Sequence, residues 1–270
     1  MTARAAILFA TPGTSSVSAL GVYDRIGAAA ARRFPGVETR WCFTSGPVRS
    51  RLAAQGVRAA APEEALAGLA EGRFERAAVV PLHLTDGMEY RELAELALLA
   101  SAARGAPRLA LGRPLLVSED GWRRTLEALL ASLPEPLGPR DRAVVVVHGS
   151  KDPQGYRTLI RAAARCRRVD PRLMLGMLLG RPNLDDVTRA LSASRTERVW
   201  LLPGFVAAGR SVTEDVAGTG EGSWASAFAR AGLRVAPLVR ALADIEGVVD
   251  VWLDAAAELL AESGASGSAP

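Results

Sequence analysis

The sequence predicts an α/β protein made of two similar halves, each a parallel sheet flanked by helices. Three observations lead there. Short apolar runs alternate with helical patterns along the whole chain, as parallel strands joined by crossover helices require. One run, Ala143-Val144-Val145-Val146-Val147, is continuous and β-branched, bounded by Arg142 before and by Gly149-Ser150-Lys151-Asp152-Pro153 after, as in a strand covered on both faces. The chain also partly repeats itself. Phe74-Glu75-Arg76-Ala77-Ala78-Val79-Val80-Pro81 is echoed by Thr196-Glu197-Arg198-Val199-Trp200-Leu201-Leu202-Pro203, and the same offset aligns Gly87 with Gly209. Ala6 to Thr14 likewise resembles Val144 to Ser150, a strand followed by a Gly-Thr or Gly-Ser turn.

The elements follow in order. Ala5-Ala6-Ile7-Leu8-Phe9-Ala10 opens a strand over 5–11 that stops at Thr11-Pro12-Gly13. Further strands are expected over 37–43, 76–83, 107–111, 142–148, 173–178, 197–204 and 233–237. Helices are expected near 16–33, 62–71, 89–103, 119–132, 154–168, 184–193, 223–231 and 246–262. The Pro134-Glu135-Pro136-Leu137-Gly138-Pro139 stretch, rich in proline and glycine, sets the expected boundary. It divides the chain into an N-terminal half over 1–136 and a C-terminal half over 137–264, with a disordered tail over 265–270. Facing carboxyl edges would then form a cleft reached by the loops after 11, 43, 83, 148, 178 and 204.

Composition narrows the function. Across 270 residues the chain is 49% hydrophobic and 23% charged, the balance of a soluble globular protein. No run approaches the ~18–20 apolar residues that span a bilayer. The N-terminal apolar run is too short for a secretory leader, so a cytoplasmic protein without a membrane partner is expected. Cys42 and Cys166 form no CxxC pair and are expected as small core residues or surface thiols. Lys151 is the single lysine, so arginine supplies nearly all the positive charge behind a net charge of +4. The arginines are scattered among acids with no interleaved aromatic stripe, which argues against nucleic acid. A polycarboxylate ligand suits an arginine-rich site better, because the guanidinium fork pairs bidentately with carboxylate.

His148, one of two histidines, reads as the last residue of the buried strand that Ala143–Val147 begins. Ligands gather beyond the carboxyl ends of parallel strands, which makes it a candidate catalytic group. A histidine capping the strand by bonding a neighbouring carbonyl is the alternative. Gly13, Thr14 and Ser15 form a second candidate, a glycine turn able to hold an anion such as phosphate, although no GxGxxG follows.

The segments Phe43-Thr44-Ser45-Gly46 and Pro81-Leu82-His83-Leu84-Thr85-Asp86-Gly87-Met88-Glu89-Tyr90, the His148-Gly149 turn, Gly180-Arg181-Pro182-Asn183-Leu184, the Ala208-Gly209 turn with Asp215 and Ala217, and Ser223-Trp224 together resemble the anaerobic sirohydrochlorin cobaltochelatases. These are class II tetrapyrrole chelatases, and the resemblance runs in order over nearly the whole chain. It implies two Rossmann-like or flavodoxin-like domains around a tetrapyrrole cleft. It also implies a lyase-type enzyme that inserts a divalent metal into sirohydrochlorin or a related polycarboxylate tetrapyrrole. The metal is a substrate, cobalt first, with nickel or iron also compatible, and no organic cofactor is implied. A homo-oligomer is left open. By the same resemblance His148 is the metal-binding and base histidine and Glu89 a catalytic glutamate on the cleft wall. Gly13, Thr14, Ser15, Thr44, Ser45, Arg210 and Ser211 become candidate substrate contacts. Glu89 has a second reading, because an acid in the first turn of a helix is favoured by the macrodipole alone. The chemistry fits the residue types: neutral imidazole, with an unperturbed pKa of ≈ 6.5, offers a lone pair to cobalt, nickel or iron, and a carboxylate assists deprotonation of pyrrole nitrogen.

Departures from the family pattern fall on the metal site. Its second metal histidine corresponds to Ser211, a metal-ligating glutamate corresponds to Leu179, and a Gly-Leu-Gly-Glu segment reads Ala241-Leu242-Ala243-Asp244. Two of three family ligands are thus replaced. His83, which the family also carries, is expected as a satisfied core histidine. Two readings of the tetrapyrrole site follow: a chelatase with a reduced ligand set, or a tetrapyrrole-binding or carrier protein, or repurposed chelatase homologue, that has lost metal insertion.

Overall fold

The computed structural model describes residues 4–265. Its strands are β1 (Ala5–Thr11), β2 (Glu38–Phe43), β3 (Arg76–Pro81), β4 (Arg108–Leu111), β5 (Asp141–Gly149), β6 (Leu173–Leu179), β7 (Arg198–Pro203) and β8 (Arg234–Pro237). The helices are α1 (Gly21–Arg33), α2 (Gly46–Ala53), α3 (Pro62–Glu71), α4 (Met88–Ser101), α5 (Glu119–Ala131), α6 (Pro153–Val169), α7 (Leu184–Ala193), α8 (Trp224–Arg230) and α9 (Glu246–Ala265). One sheet has the order β2-β1-β3-β4 and the other β6-β5-β7-β8, with every pairing parallel. The shared order bears out the two similar halves, and the repeated segments occupy equivalent places. Arg76 opens β3 opposite Ala5, and Arg198 opens β7 opposite Asp141. Just past the two repeats, the Leu82 amide donates to Ala10 O and the Gly204 amide to Val146 O, both at 2.7 Å.

The central strands explain why the runs read as they do. All seven residues of β1 are buried, as are Ala143–Val147 of β5, so both faces need apolar side chains. Ala6, Leu8 and Ala10 pack with Leu66, Leu69, Val79 and Leu93. Phe9 stacks on Trp41 with ring centroids 4.9 Å apart, and Tyr23 meets Trp41 and Phe43 edge-on. In the second sheet Val144 and Val146 pack with Val187, Leu201, Trp224 and Phe228. Short polar caps set the helix starts there. Asp152 accepts the Gly155 amide at 2.8 Å, Asn183 and Asp186 form a capping box, and Ser223 accepts the Ser226 amide. Each such cap contributes about 1 kcal/mol.

The expected boundary at 136/137 is corrected. One compact unit holds the chain up to Ser118 and again from Val249, while the other is Glu119–Val248. The reason is side-chain anchoring. Trp122 of α5 is buried and donates its indole N–H to Ala162 O of α6, which binds this helix to the second unit. In α9, Leu260 O accepts from Arg76 and Asp254 pairs with Arg33, which joins that helix to the first unit. The proline-rich stretch is therefore a loop inside the second unit, held by Arg198 to Glu135 and by Arg172 to Leu137 O. Helix α2 was not expected, and β3 ends at Pro81 rather than 83. Helix α9 extends three residues beyond its expected end at 262, and residues 266–270 of the expected tail lie outside those described.

At the amino end of the second sheet, Asp141 accepts from the Arg198 side chain and from the Gly138 amide at 2.8 Å. The Arg198 guanidinium, with help from that amide, holds the Asp141 carboxyl below its usual range. A depressed folded-state value makes the contribution full above the unfolded value of about 3.9 and removes it as pH falls through the folded one. Asp141→Asn is expected to destabilise the protein by about 1–3 kcal/mol at pH 7 in urea unfolding, and the difference from the unsubstituted protein should shrink near pH 3.

Candidate functional site

In each unit the strand carboxyl ends carry the polar residues that the buried runs exclude. In the second unit His148 sits on the penultimate position of β5 and is exposed, directly after the buried Val147. Its imidazole has no hydrogen bond to any described residue, so the strand-capping alternative is not what the structure shows. Gly149 follows with φ of 90° and is aligned with Leu179 of β6. A Cβ there would lie 1.8 Å from Leu179 O, so only glycine lets the two strands stay paired beside His148. Leu179, which the resemblance sets at a ligand position, is half-buried and has no donor atom to offer a metal.

Ser211 and Arg210 lie beyond β7, where Ser211–Val216 forms a π-helical turn, a local widening that often accompanies functional sites. Arg210 is exposed and its Nε donates to Glu214 at 2.7 Å, so the guanidinium proposed for a substrate carboxylate already has an acid neighbour. Trp224, part of the resemblance, is a core residue. It is 3% exposed, lies against Gly176 and meets Phe228 edge-on.

The first unit gathers several of the expected residues. Thr44, just past β2, bonds His83 Nε2 at 2.9 Å, Glu89 Oε2 at 3.3 Å and Thr11 O at 3.3 Å. Thr44 and His83 are buried, while Glu89, in the first turn of α4, is half-buried. Burial lowers the His83 pKa to about 4. His83 is buried as expected but not satisfied, because its Nδ1 has no partner, and it stands past the end of β3 rather than on the strand. Tyr90 lies edge-on to the His83 ring and donates to Gly112 O at 3.0 Å. Arg49 of the unexpected α2 donates to Thr44 O at 2.9 Å, anchoring the loop that carries Thr44 and Ser45. Reading Gly46-Pro47 as a helix start would have found it.

The anion reading of Gly13-Thr14-Ser15 loses support. The Gly13 amide donates to Thr11 Oγ1 and the Ser16 amide to Thr14 Oγ1, so the turn spends donors on its own hydroxyls. A 3-10 turn at Val17–Ala19 follows it, and the α-helix starts only at Gly21. Among the described residues no group of three or more His, Cys, Asp or Glu side chains is arranged to hold a metal ion. Cys42 and Cys166 are free and buried, and no described helix is long and apolar enough to cross a membrane.

The two parallel sheets, with one strand order and polar carboxyl edges, define a double α/β protein of the chelatase fold. SirB from Bacillus subtilis with Fe3+ has a TM-score of 0.70 to this chain at 14% identity, covering 97% of this chain and 98% of its own. The cobalt chelatase (CbiK) family profile matches residues 5–260, and the chain belongs to that family of metal chelatases. The sirohydrochlorin cobaltochelatase CbiKC of Nitratidesulfovibrio vulgaris strain Hildenborough is 38% identical over 224 residues, 82% of this chain and 78% of its own length. A sirohydrochlorin cobaltochelatase of Salmonella typhimurium strain LT2 is 28% identical over 206 residues, 75% of each chain.

Gly149→Ala should lower the melting temperature, with a loss of about 1–3 kcal/mol from the strained φ alone and more from the Leu179 carbonyl clash. Differential scanning calorimetry reads the loss. A variant as stable as the parent would mean that the β5–β6 edge is not held as described.

Proposed function

We propose that the protein inserts cobalt into sirohydrochlorin, with His148 contacting the incoming metal and Glu89 taking a pyrrole N–H proton. Membership in the cobalt chelatase family and 38% identity to a sirohydrochlorin cobaltochelatase support the substrates. One observation carries the catalytic reading: His148 is exposed at the sheet's carboxyl edge with no hydrogen bond among the described residues. A neutral imidazole whose lone pair is not already engaged can meet a divalent metal without breaking an existing bond. With Leu179 and Ser211 at two ligand positions, the metal is held weakly and as a substrate, which suits transfer to a macrocycle. Arg210 and the hydroxyls of Thr14, Ser15, Ser45 and Ser211 then serve the tetrapyrrole's carboxylates, while the Gly13 amide stays on Thr11 Oγ1. We place the enzyme in the cytoplasm, a reading that the two free cysteines support.

The same replaced ligands favour the second reading, a tetrapyrrole carrier. Mixing the protein with sirohydrochlorin, with and without Co2+, and following the absorption spectrum separates the two. Insertion faster than in free solution is expected, whereas binding without acceleration would establish the carrier. His148→Ala should lower turnover by about 10²-fold while tetrapyrrole affinity changes little. A fully active variant with a lower melting temperature would make His148 structural. Calorimetric titration of the protein with Co2+ alone should show binding weaker than micromolar, as one imidazole makes a poor chelating set. Submicromolar binding would overturn the reduced ligand set.

A further inference from the structure

Three neighbouring elements of the first unit bring one hydroxyl, one imidazole and one carboxylate together: Thr44 after β2, His83 after β3 and Glu89 at the start of α4. The Thr44 hydroxyl has a single proton and faces three groups. Thr11 O and an ionised Glu89 can only accept. If His83 Nε2 accepted as well, one proton would serve three acceptors while its closest neighbour, at 2.9 Å, competed with a charged one. The arrangement is satisfied when Nε2 carries the imidazole proton and donates to Thr44 Oγ1. Burial that keeps His83 neutral leaves it only that one N–H. Its buried Nδ1 is then a bare lone pair, a smaller penalty than an orphaned N–H. Thr11 O already accepts the Thr44 amide at 2.8 Å, so the Thr44 hydroxyl proton goes to the carboxylate, the stronger acceptor.

We infer that Thr44 and His83 are positioning residues that hold Glu89 for proton transfer, His83 fixing the direction of the Thr44 hydroxyl and Thr44 fixing Glu89 Oε2. Glu89 has no other hydrogen-bond partner among the described residues, so its second oxygen stays open to a pyrrole N–H. A carboxylate fixed at one oxygen meets its proton donor in a set orientation, which lowers the reorganisation the reaction must supply. Thr44, a candidate substrate contact by sequence, thereby acts through Glu89. This inference rests on Glu89 being the proton acceptor.

Steady-state cobalt insertion into sirohydrochlorin tests it with Glu89→Gln, Thr44→Val, Thr44→Ser, His83→Leu and His83→Gln. Thr44→Val, which keeps the shape and removes the hydroxyl, should lower kcat about tenfold or more with KM for sirohydrochlorin within about twofold. Thr44→Ser should restore most of the loss. His83→Leu should follow Thr44→Val, and His83→Gln, whose amide N–H can stand near Nε2, should recover part of it. If Glu89→Gln is inactive and Thr44→Val turns over normally, the positioning role is wrong while the proton-acceptor reading stands. Full turnover by Glu89→Gln removes the reading beneath it. Thr44→Ser as impaired as Thr44→Val, or losses in Thr44→Val that appear in KM rather than kcat, would also overturn the inference. If Thr44→Val does not fold, Thr44→Ala carries the same comparison with Thr44→Ser.

Discussion

A parallel strand covered on both faces has no place for a polar side chain except at its ends, and this constraint organises both units. In β1 and β5 it produces uninterrupted apolar runs, because an unpaired polar group inside either would cost several kcal/mol. Chemistry-bearing residues are therefore pushed to the edges. His148, Thr44 and His83 all occupy positions at or just past a strand's carboxyl end. The turns that begin there need glycine for the same reason: the chain must leave a crowded edge at once, and Gly13 and Gly149 do so with φ of 86° and 90°.

The two ends of the sheets carry different electrostatics. At the amino ends, arginines are neutralised in place. Arg198 pairs with Asp141 and Glu135, Arg4 and Arg40 pair with Glu38, and Arg140 pairs with Glu197. Aromatic rings add to this, with Arg4 and Arg40 over Phe74 and Arg198 over Trp200. The two rings are not equivalent in the repeat, since Phe74 aligns with Thr196 and Trp200 with Ala78, and Arg76 donates to Leu260 O instead of covering a ring. At the carboxyl ends hydroxyls and imidazoles join the charged groups: Thr44 meets His83 and Glu89, His148 is exposed, and Arg181 and Arg210 pair with Asp186 and Glu214.

Leu179 and Ser211, the two positions at which the sequence departs from the resemblance, lie at the end of β6 and beyond the end of β7. Leu179 completes an apolar edge against Gly149, and Ser211 begins a π-helical turn whose buried residues, Val212 and Val216, secure it to the core. The chain belongs to the cobalt chelatase family with leucine and serine at these two positions.

The order of amino acids alone revealed the α/β class, all eight strands, the internal repeat and His148, because each depends on local periodicity or on a short apolar run that ends in a turn. It also supplied Glu89 and Thr44, through segment resemblance rather than through any visible contact between them. It could not show that α5 joins the second unit and α9 the first, since that is decided by the Trp122 indole and the Arg76 guanidinium finding carbonyls far along the chain. Nor could it show that His83 is half-satisfied or that Thr44 bridges it to Glu89. Residues 44, 83 and 89 come from three segments, and only the packing of β2, β3 and α4 brings their polar atoms within hydrogen-bond distance and removes the water that would otherwise have bonded each one separately.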